Sequence, residues 1–480
     1  MPSRTKHIVL PIHVSQHYDA PATPHWHESG WRVGMRKHNL LKLSFLVVIA
    51  LFFFSTSIHV RPRRVLNDSA PPLGLPKDVQ TAWGQYSPYF PVGIYLPPPT
   101  ECVIAQVNIL QRHGARFPNS FDTYEQSIKK LLSVKKYEDT RLDFLKEYEY
   151  DLSSEKLTSF GAAQSFNAGE EAFKRYSHIV SEDNIPFVRA TRKSRVIESA
   201  TNWTVGFAAA SQQQYNPFLD LAIPEDQNNT LNENCPNAND GTQQKDEWLS
   251  VFATPIAQRL EEAAPGSSLT NNDIFNLMAM CPFESIAKRR PSDFCGIFTK
   301  EEFREFEYHG DVEKYYKTGY GESLGPVQGA GYVNELIARI TGQPVQDDTS
   351  HNYSLPFPSG RTIYTDFTHE NLMIGVFSAM GLFNKSTTPL STRRMDTDRE
   401  WVASKMVPFS ARMVVEKMTC GGVIGRGFEK DFVRILVNDA VQPLEFCGGG
   451  RIKMCTMDAF VRSQGYSRGP AGKDWRKCFN

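Results

Sequence analysis

Gln111-Arg112-His113-Gly114-Ala115-Arg116-Phe117-Pro118 places two arginines beside a histidine. A guanidinium is a planar, permanently charged fork that grips phosphate or carboxylate bidentately. Histidine is the side chain best suited to act as nucleophile or acid–base near neutral pH. Gly114 leaves room for a tight turn or a close ligand approach. Together they describe an anion site that does chemistry. A lone Arg-His-Gly is equally at home in any surface turn, so its setting decides. Val103, Ala105, Val107 and Ile109 alternate with other residues up to Leu110, which predicts a strand. The cluster then falls at a strand's carboxyl end, where open α/β sheets bind ligands.

Two further stretches read as strands ending in polar chemistry. Ile185-Pro-Phe-Val-Arg189-Ala-Thr-Arg192 ends in basic residues, and Arg361 to Asp366 leads into His369-Glu370-Asn371. Leu372 to Leu382 is apolar nearly all round and predicts a buried helix stopped by Gly381. Tyr124 to Leu152 and Leu157 to Tyr176 carry helical patterning. Val433 to Val437, Asn438-Asp439 and Val441 read as a hairpin. The expectation is an α/β catalytic domain from 101–193 and 332–480, with a mostly parallel sheet flanked by helices. The mainly helical stretch 194–331 would be a lobe inserted over the strand ends, leaving a cleft for a small molecule.

The 480 residues carry 53 Lys and Arg against 53 Asp and Glu, with no basic block, so nucleic acid is not an expected partner. Cys102, Cys235, Cys281, Cys295, Cys420, Cys447, Cys455 and Cys478 fit neither CxxC nor His-interleaved metal spacing and read as disulfides. Sequons stand at Asn67, Asn202, Asn228, Asn352 and Asn384, which favours an exported body. Residues 1–39 read as a cytoplasmic or disordered tail, and 40–60 as a signal-anchor or a signal peptide. The apolar run from Leu40 nears the roughly 20 residues of a spanning helix only if its Ser/Thr end is included. Arg32, Arg36 and Lys37 precede it and Lys42 lies at its start, which favours an N-terminus in the cytoplasm. Cleavage near Ser55 or Ser57 is the alternative, and only an uncleaved segment would make a membrane a partner. Residues 61–100, rich in proline and aromatics, read as an extended linker that wraps the domain.

The string Arg112 to Pro118 meets every fixed position of the histidine acid phosphatase signature. Trp83-Gly-Gln-Tyr-Ser-Pro88, Leu157 to Gly161, Cys281 to Ile286, Leu324 to Leu336 and Tyr364 to Asn371 extend the match. The chain thus resembles the fungal phytase-like branch of that family, over most of its body. The resemblance implies the histidine phosphatase fold and hydrolysis of phosphate monoesters through a phosphohistidine on His113, with phytate as one specialisation. It implies that Arg112, Arg116, Arg189 and His369 hold the phosphate, and that Gln85, Tyr86 and Asn371 face the substrate. Glu370 takes the place of the usual aspartate that protonates the leaving oxygen. No metal or cofactor is implied. Arg192, Arg195 and Asp366 are expected to be structural or outlying. The implied disulfides are Cys102–Cys420, Cys235–Cys478, Cys281–Cys295 and Cys447–Cys455.

Two departures stand out. Glu370 is one methylene longer than the usual residue, and Asp122 and Glu313 stand where the branch carries lysines. Acidic groups there would repel a polyanion. A phosphatase-like surface protein with weakened catalysis, and phosphoglycerate-mutase-like transfer, remain the alternatives.

Overall fold

A computed structural model describes residues 73–480 apart from 120, 386, 387 and 426. The expected tail, the apolar run at 40–60 and the Asn67 sequon lie outside the described residues. Among the described residues, no helix is long and apolar enough to cross a membrane.

The strands are β1 (Cys102–Arg112), β2 (Phe187–Thr191), β3 (Leu219–Ile223), β4 (Ile363–Thr368), β5 (Arg412–Cys420), β6 (Lys430–Val437), β7 (Ala440–Val441) and β8 (Cys455–Thr456). They form one sheet ordered β3-β2-β4-β1-β5-β6-β7, with β8 on β6. β3, β2, β4 and β1 are mutually parallel, while β5 runs against β1 and β6 runs against β5. Most of the sheet therefore points one way, and β1 sits at its centre. The β6–β7 turn is Asn438-Asp439, both with positive φ, as the Asn-Asp pair predicts.

The long helices are α1 (Phe121–Leu132), α2 (Ser159–Tyr176), α3 (Ser194–Ala210), α4 (Thr242–Ala263), α5 (Asn271–Lys288), α6 (Lys300–Lys317), α7 (Val327–Thr341) and α8 (Glu370–Met380). Strand alternation sorts the core. Val107 and Ile109 of β1 pack with Ala168 and Tyr176 of α2 and Trp203 and Phe207 of α3. Leu110 faces the opposite cluster, which holds Leu336 of α7 and Leu372, Val376 and Phe377 of α8. Helix α8 is buried from Leu372 to Met380, and Gly381 at φ 85° ends it. α4, α5 and α6 form the helical lobe, and capping boxes at Thr270/Asp273 and Thr299/Glu302 start the last two.

Two boundaries differ from expectation. The helix expected over Tyr124–Leu152 ends at Leu132, and a separate 3-10 turn, Thr140–Glu147, follows with Asp139 as its cap. Within 194–331, α3 packs against the sheet and Leu219–Ile223 extends its edge beside β2. The helical lobe proper starts after Ile223. From Leu73 onward the leading segment lies against the body. Leu73 and Trp83 are buried, Tyr89 Oη donates to Asp439, and the Leu96 carbonyl accepts from Arg434.

Candidate active site

Sheet register brings the first pair of groups together. Arg112 is opposite Thr368 in the parallel β1–β4 pair, so the next residue of each strand, His113 and His369, emerges at the same edge. Their rings stand edge to face, 5.3 Å apart. The turn after His113 is unusually close to α2. A Cβ on Gly114 would lie 2.2 Å from the Gly161 carbonyl oxygen, and one on Gly161 would lie 2.1 Å from that of Ala115. Thr158 caps α2 through the Gly161 amide and donates its own hydroxyl to the Ala115 carbonyl at 2.8 Å. Ser199 and Gln164 accept from the amides of Gly114 and Ala115. Leu157 to Gly161 thus serves as the wall that fixes the signature turn.

His113 is fully buried. Its Nδ1 lies 2.8 Å from the Gly114 carbonyl. A carbonyl can only accept, so Nδ1 carries the proton and the lone pair is on Nε2. Nε2 has no hydrogen-bond partner among the described residues. Burial, then the nearby Arg112, hold the ring well below the usual histidine range, so it stays neutral in acid. An unprotonated imidazole nitrogen with nothing bound to it is a ready nucleophile.

Cations surround it. Arg112 is held from behind by the Gln85 and Val407 carbonyls, lies 4.6 Å over the Phe409 ring, and pairs with Glu370 at 3.0 Å. Arg116 donates to the Phe117 carbonyl, and its Nε has no partner among the described residues. Arg195, in the first turn of α3, is the cation that sequence reasoning set aside. Its charge is felt by Arg112, His113, Arg116 and Glu370, and its buried Nε also lacks a partner. Burial, then Arg116, push its guanidinium down. Arg195 also pairs with Glu155 at 3.6 Å, but cations that repel one another and keep unpartnered nitrogens gain by receiving an anion. His113, His369 and Glu370 bring ring nitrogens and a carboxylate oxygen within 4.8 Å of one another, but these guanidiniums make the space favour an anion over a cation.

Arg189 is elsewhere. It is opposite Asp366 in the β2–β4 register, inside the sheet and not at its end. Its guanidinium pairs with Asp366 at 2.5 Å and with Glu335 of α7, and Arg339 completes the group on Asp366 at 2.7 Å. His351 closes the other side of Glu335 at 2.6 Å. Both Arg189 and Asp366 are thus committed to an internal ion network, and the expectation that Arg189 holds phosphate is corrected. The available signal for Arg195 was Ser194-Arg195 opening a helix just past a strand end.

His369 is the N-cap of α8 and contacts Glu225 at 2.9 Å. Glu370 is the first residue of that helix, with one oxygen on Arg112 and the other 3.7 Å from Lys314. Burial raises its proton affinity, but Arg112 and Lys314 outweigh that and hold the carboxyl well below the usual range. Asn371 accepts from Lys314 at 2.8 Å and donates to Glu233 at 3.1 Å. Gln85 turns its amide to Glu313 at 3.0 Å, and the Tyr86 ring packs 4.9 Å from Phe283. Glu313 therefore belongs to the site wall, whereas Asp122 is exposed on the first turn of α1.

Residues 103–438 match the histidine phosphatase superfamily, branch 2. The chain belongs to that superfamily. It is 39% identical to Phytase A of Aspergillus terreus over 428 residues, covering 83% of this chain and 90% of the relative. Phytase A of Arthroderma benhamiae is 38% identical, covering 82% and 91%. Among solved structures, the phytase from D. castellii has a TM-score of 0.68 at 23% identity, covering 82% of this chain and 85% of that one. The Bifidobacterium longum multiple inositol polyphosphate phosphatase in complex with phosphate has a TM-score of 0.55 at 14% identity, with 76% and 92% covered. The enzyme is a phosphate monoester hydrolase of the histidine acid phosphatase class. All four disulfides implied by the resemblance are present.

Proposed function

We propose that the chain hydrolyses phosphate monoesters, inositol phosphates among them, through a phosphohistidine on His113. The observation that carries this is the unpartnered Nε2 of a neutral, buried His113 beside guanidinium groups that keep nitrogens without a partner. Nε2 attacks phosphorus and the P–O ester bond breaks. The carboxyl of Glu370 gives its proton to the departing oxygen. Glu370, now a carboxylate, then takes a proton from water as the water oxygen attacks phosphorus. The P–N bond breaks, phosphate leaves and neutral His113 returns. Arg112, Arg116, Arg195 and His369 stabilise the non-bridging oxygens, where fixed positive charge contributes most.

The test separates the two roles. His113→Ala should abolish both the trapped phosphoenzyme and turnover. Glu370→Gln should still bind phosphate but hydrolyse alkyl phosphates ~10²–10⁴-fold more slowly. It should be less impaired in the first step with p-nitrophenyl phosphate, whose phenolate leaves unaided. A His113→Ala variant that still accumulates phosphoenzyme would overturn the reading.

The relatives' names motivate inositol phosphates, and the acidic Glu313 in the wall argues that the most highly charged of them are not favoured. Rates across a series from glycerol 2-phosphate to inositol hexakisphosphate, for wild type and Glu313→Gln, test this. The variant should gain most at the most phosphorylated end. Four disulfides and exposed sequon asparagines such as Asn228 and Asn384 support a place in the secretory pathway. N-terminal sequencing and a glycosidase mass shift on the natural protein test that, and also whether a membrane segment is retained.

A further inference from the structure

The sequon Asn384-Lys385-Ser386 follows the end of α8. Gly381 stops that helix at φ 85°, and two residues later Phe383 is left-handed as well, at φ 58°. Glycine takes this conformation freely. A bulky aromatic there is an outlier, and such strain persists where the surroundings over-determine it, commonly beside a bound group. The side chain that leaves this turn is the exposed Asn384. It lines two cavities, of about 630 and 640 Å³, both within the roughly 300–1,000 Å³ of small-ligand sites.

The larger cavity has the chemistry of a sugar site. Its wall is formed by Tyr315 and Tyr320, half-buried, each edge-on to the buried Trp401 ring at 5.3 and 5.8 Å. A pyranose has an apolar C–H face that lies flat on an aromatic ring and hydroxyls round its edge that need hydrogen bonds. Tyr320 spends its hydroxyl on the Leu382 carbonyl at 2.8 Å, and Trp401 its indole N–H on that of Asp311 at 3.2 Å. The Tyr315 hydroxyl makes no hydrogen bond among the described residues. Charges round the cavity balance, with Lys385, Arg394 and Arg399 against Asp396, Asp398 and Glu400. Lys385 pairs with Glu400 at 3.0 Å and Arg399 with Asp311 at 2.6 Å. An ion would gain little there, whereas a neutral ligand rich in hydroxyls suits it.

Resting on the reading of this sequon as glycosylated, we propose that the cavity is the seat of the glycan that Asn384 itself carries. Its first N-acetylglucosamine residues lodge against Tyr315 and Tyr320. Such a sugar needs little intrinsic affinity, because its short tether holds it beside the cavity at a roughly millimolar effective concentration. Seated there, it bridges the turn after α8, the segment 389–401 and Tyr315 of α6. It also covers Arg394, an exposed residue that lines the same cavity.

The experiment is glycopeptide mapping of the full chain, from a host that exports it with high-mannose glycans, before and after endoglycosidase H. That enzyme cuts between the two inner N-acetylglucosamine residues. Digestion is run on folded and on denatured wild type, Tyr315→Ala and Tyr315→Phe. In folded wild type, cleavage at Asn384 should be about tenfold slower than at the exposed Asn228, the factor for a core lodged about nine-tenths of the time. Denaturation should make the two rates equal. Tyr315→Ala, its folding certified by retained turnover, should release the protection, and Tyr315→Phe should keep most of it. Ser386→Ala removes the sequon and leaves Asn384, and trypsin should cut this variant faster after Arg394; this readout holds even where Tyr315→Ala does not fold. Equal cleavage at Asn384 and Asn228 in folded wild type overturns the proposal. An Asn384 found bare while other sequons are occupied overturns the seat and leaves export standing. A chain exported with no sequon occupied ends the glycosylation reading, and the seat falls with it.

Discussion

Arg189 and Arg195 belong to one strand–helix unit yet do opposite work. Arg189 lies within β2 and is spent on Asp366 and Glu335. Arg195, past the strand end, keeps a buried Nε without a partner beside the other cations of the site. Arg195→Ala should lower kcat/KM by ~10²–10³-fold, the usual cost of one stabilising donor, with little change in melting temperature. Arg189→Met should do the reverse. It strands buried carboxylates and should cost about 3–5 kcal/mol of stability, while the molecules still folded turn over normally. Equal kinetic losses in both variants would contradict this division. The signature itself was legible, because Arg112, His113 and Arg116 are contiguous and their strand has clean alternation. Which later arginine joins them was not legible. That depends on where β2 ends against β4, a register that no local pattern in Ile185 to Arg195 specifies.

At the scale of elements, the strap from Asp396 to Ala411 ties α6 to the signature. Arg399 pairs with Asp311 at 2.6 Å and Glu307 at 3.4 Å, Ser404 donates to Glu307, and the Ala403 amide donates to Asp311. Farther along, Val407 and Phe409 hold Arg112. Two carboxyls share one arginine here. Burial, then the neighbouring Asp311, push Glu307 up to about 7 from an ordinary 4.5. A raised carboxyl means the folded state holds the extra proton between those values, so this group's contribution is lost as pH rises from 4.5 through 7. His309, on the same helix, works the other way. Burial lowers it from 6.5 to about 4, so its contribution is lost as pH falls through that window. Glu307→Gln removes only the first effect. Relative to wild type it should gain about 1–3 kcal/mol between pH 5 and pH 8, read by denaturant midpoints at each pH. A difference that does not change with pH would mean the pair is not the titrating latch of this strap.

For the whole molecule, the α/β body and buried α8 could be read from periodicity, but the limits of the inserted lobe could not. Leu219 to Ile223 is a short edge strand whose residues, apart from Ile223, are only partly buried or exposed, so its apolar signal is weak. It joins the sheet through β2, a long-range pairing. The disulfides show a similar gap. Separations of 14 and 8 residues mark Cys281–Cys295 and Cys447–Cys455 as local loops. Separations of 318 and 243 say nothing until the fold brings the partners together. These two long bridges close loops of similar length, so chain entropy alone gives them similar weight, about 2–5 kcal/mol each. Their settings differ. Cys102 and Cys420 are already opposite in the β1–β5 ladder, whereas Cys478 ends the short C-terminal helix Ala471–Lys477. That helix packs on Leu324, Val327 and Ala330 at the start of α7. Asn237 supports the same junction by donating to the Lys477 and Asn480 carbonyls. Paired Cys→Ser replacement of either bridge should lower the thermal inactivation temperature. Only loss of Cys235–Cys478 should also release a local unit, so that protease removes the C-terminal residues well below the global transition. The catalytic groups come from the end of β1 and the turn after it, from α3 and from the start of α8, none of which the bridge joins, so turnover of the intact double variant at low temperature should persist. If the C-terminal segment resists cleavage until the whole molecule unfolds, the bridge is secondary to packing on α7 and the local-unit account is wrong.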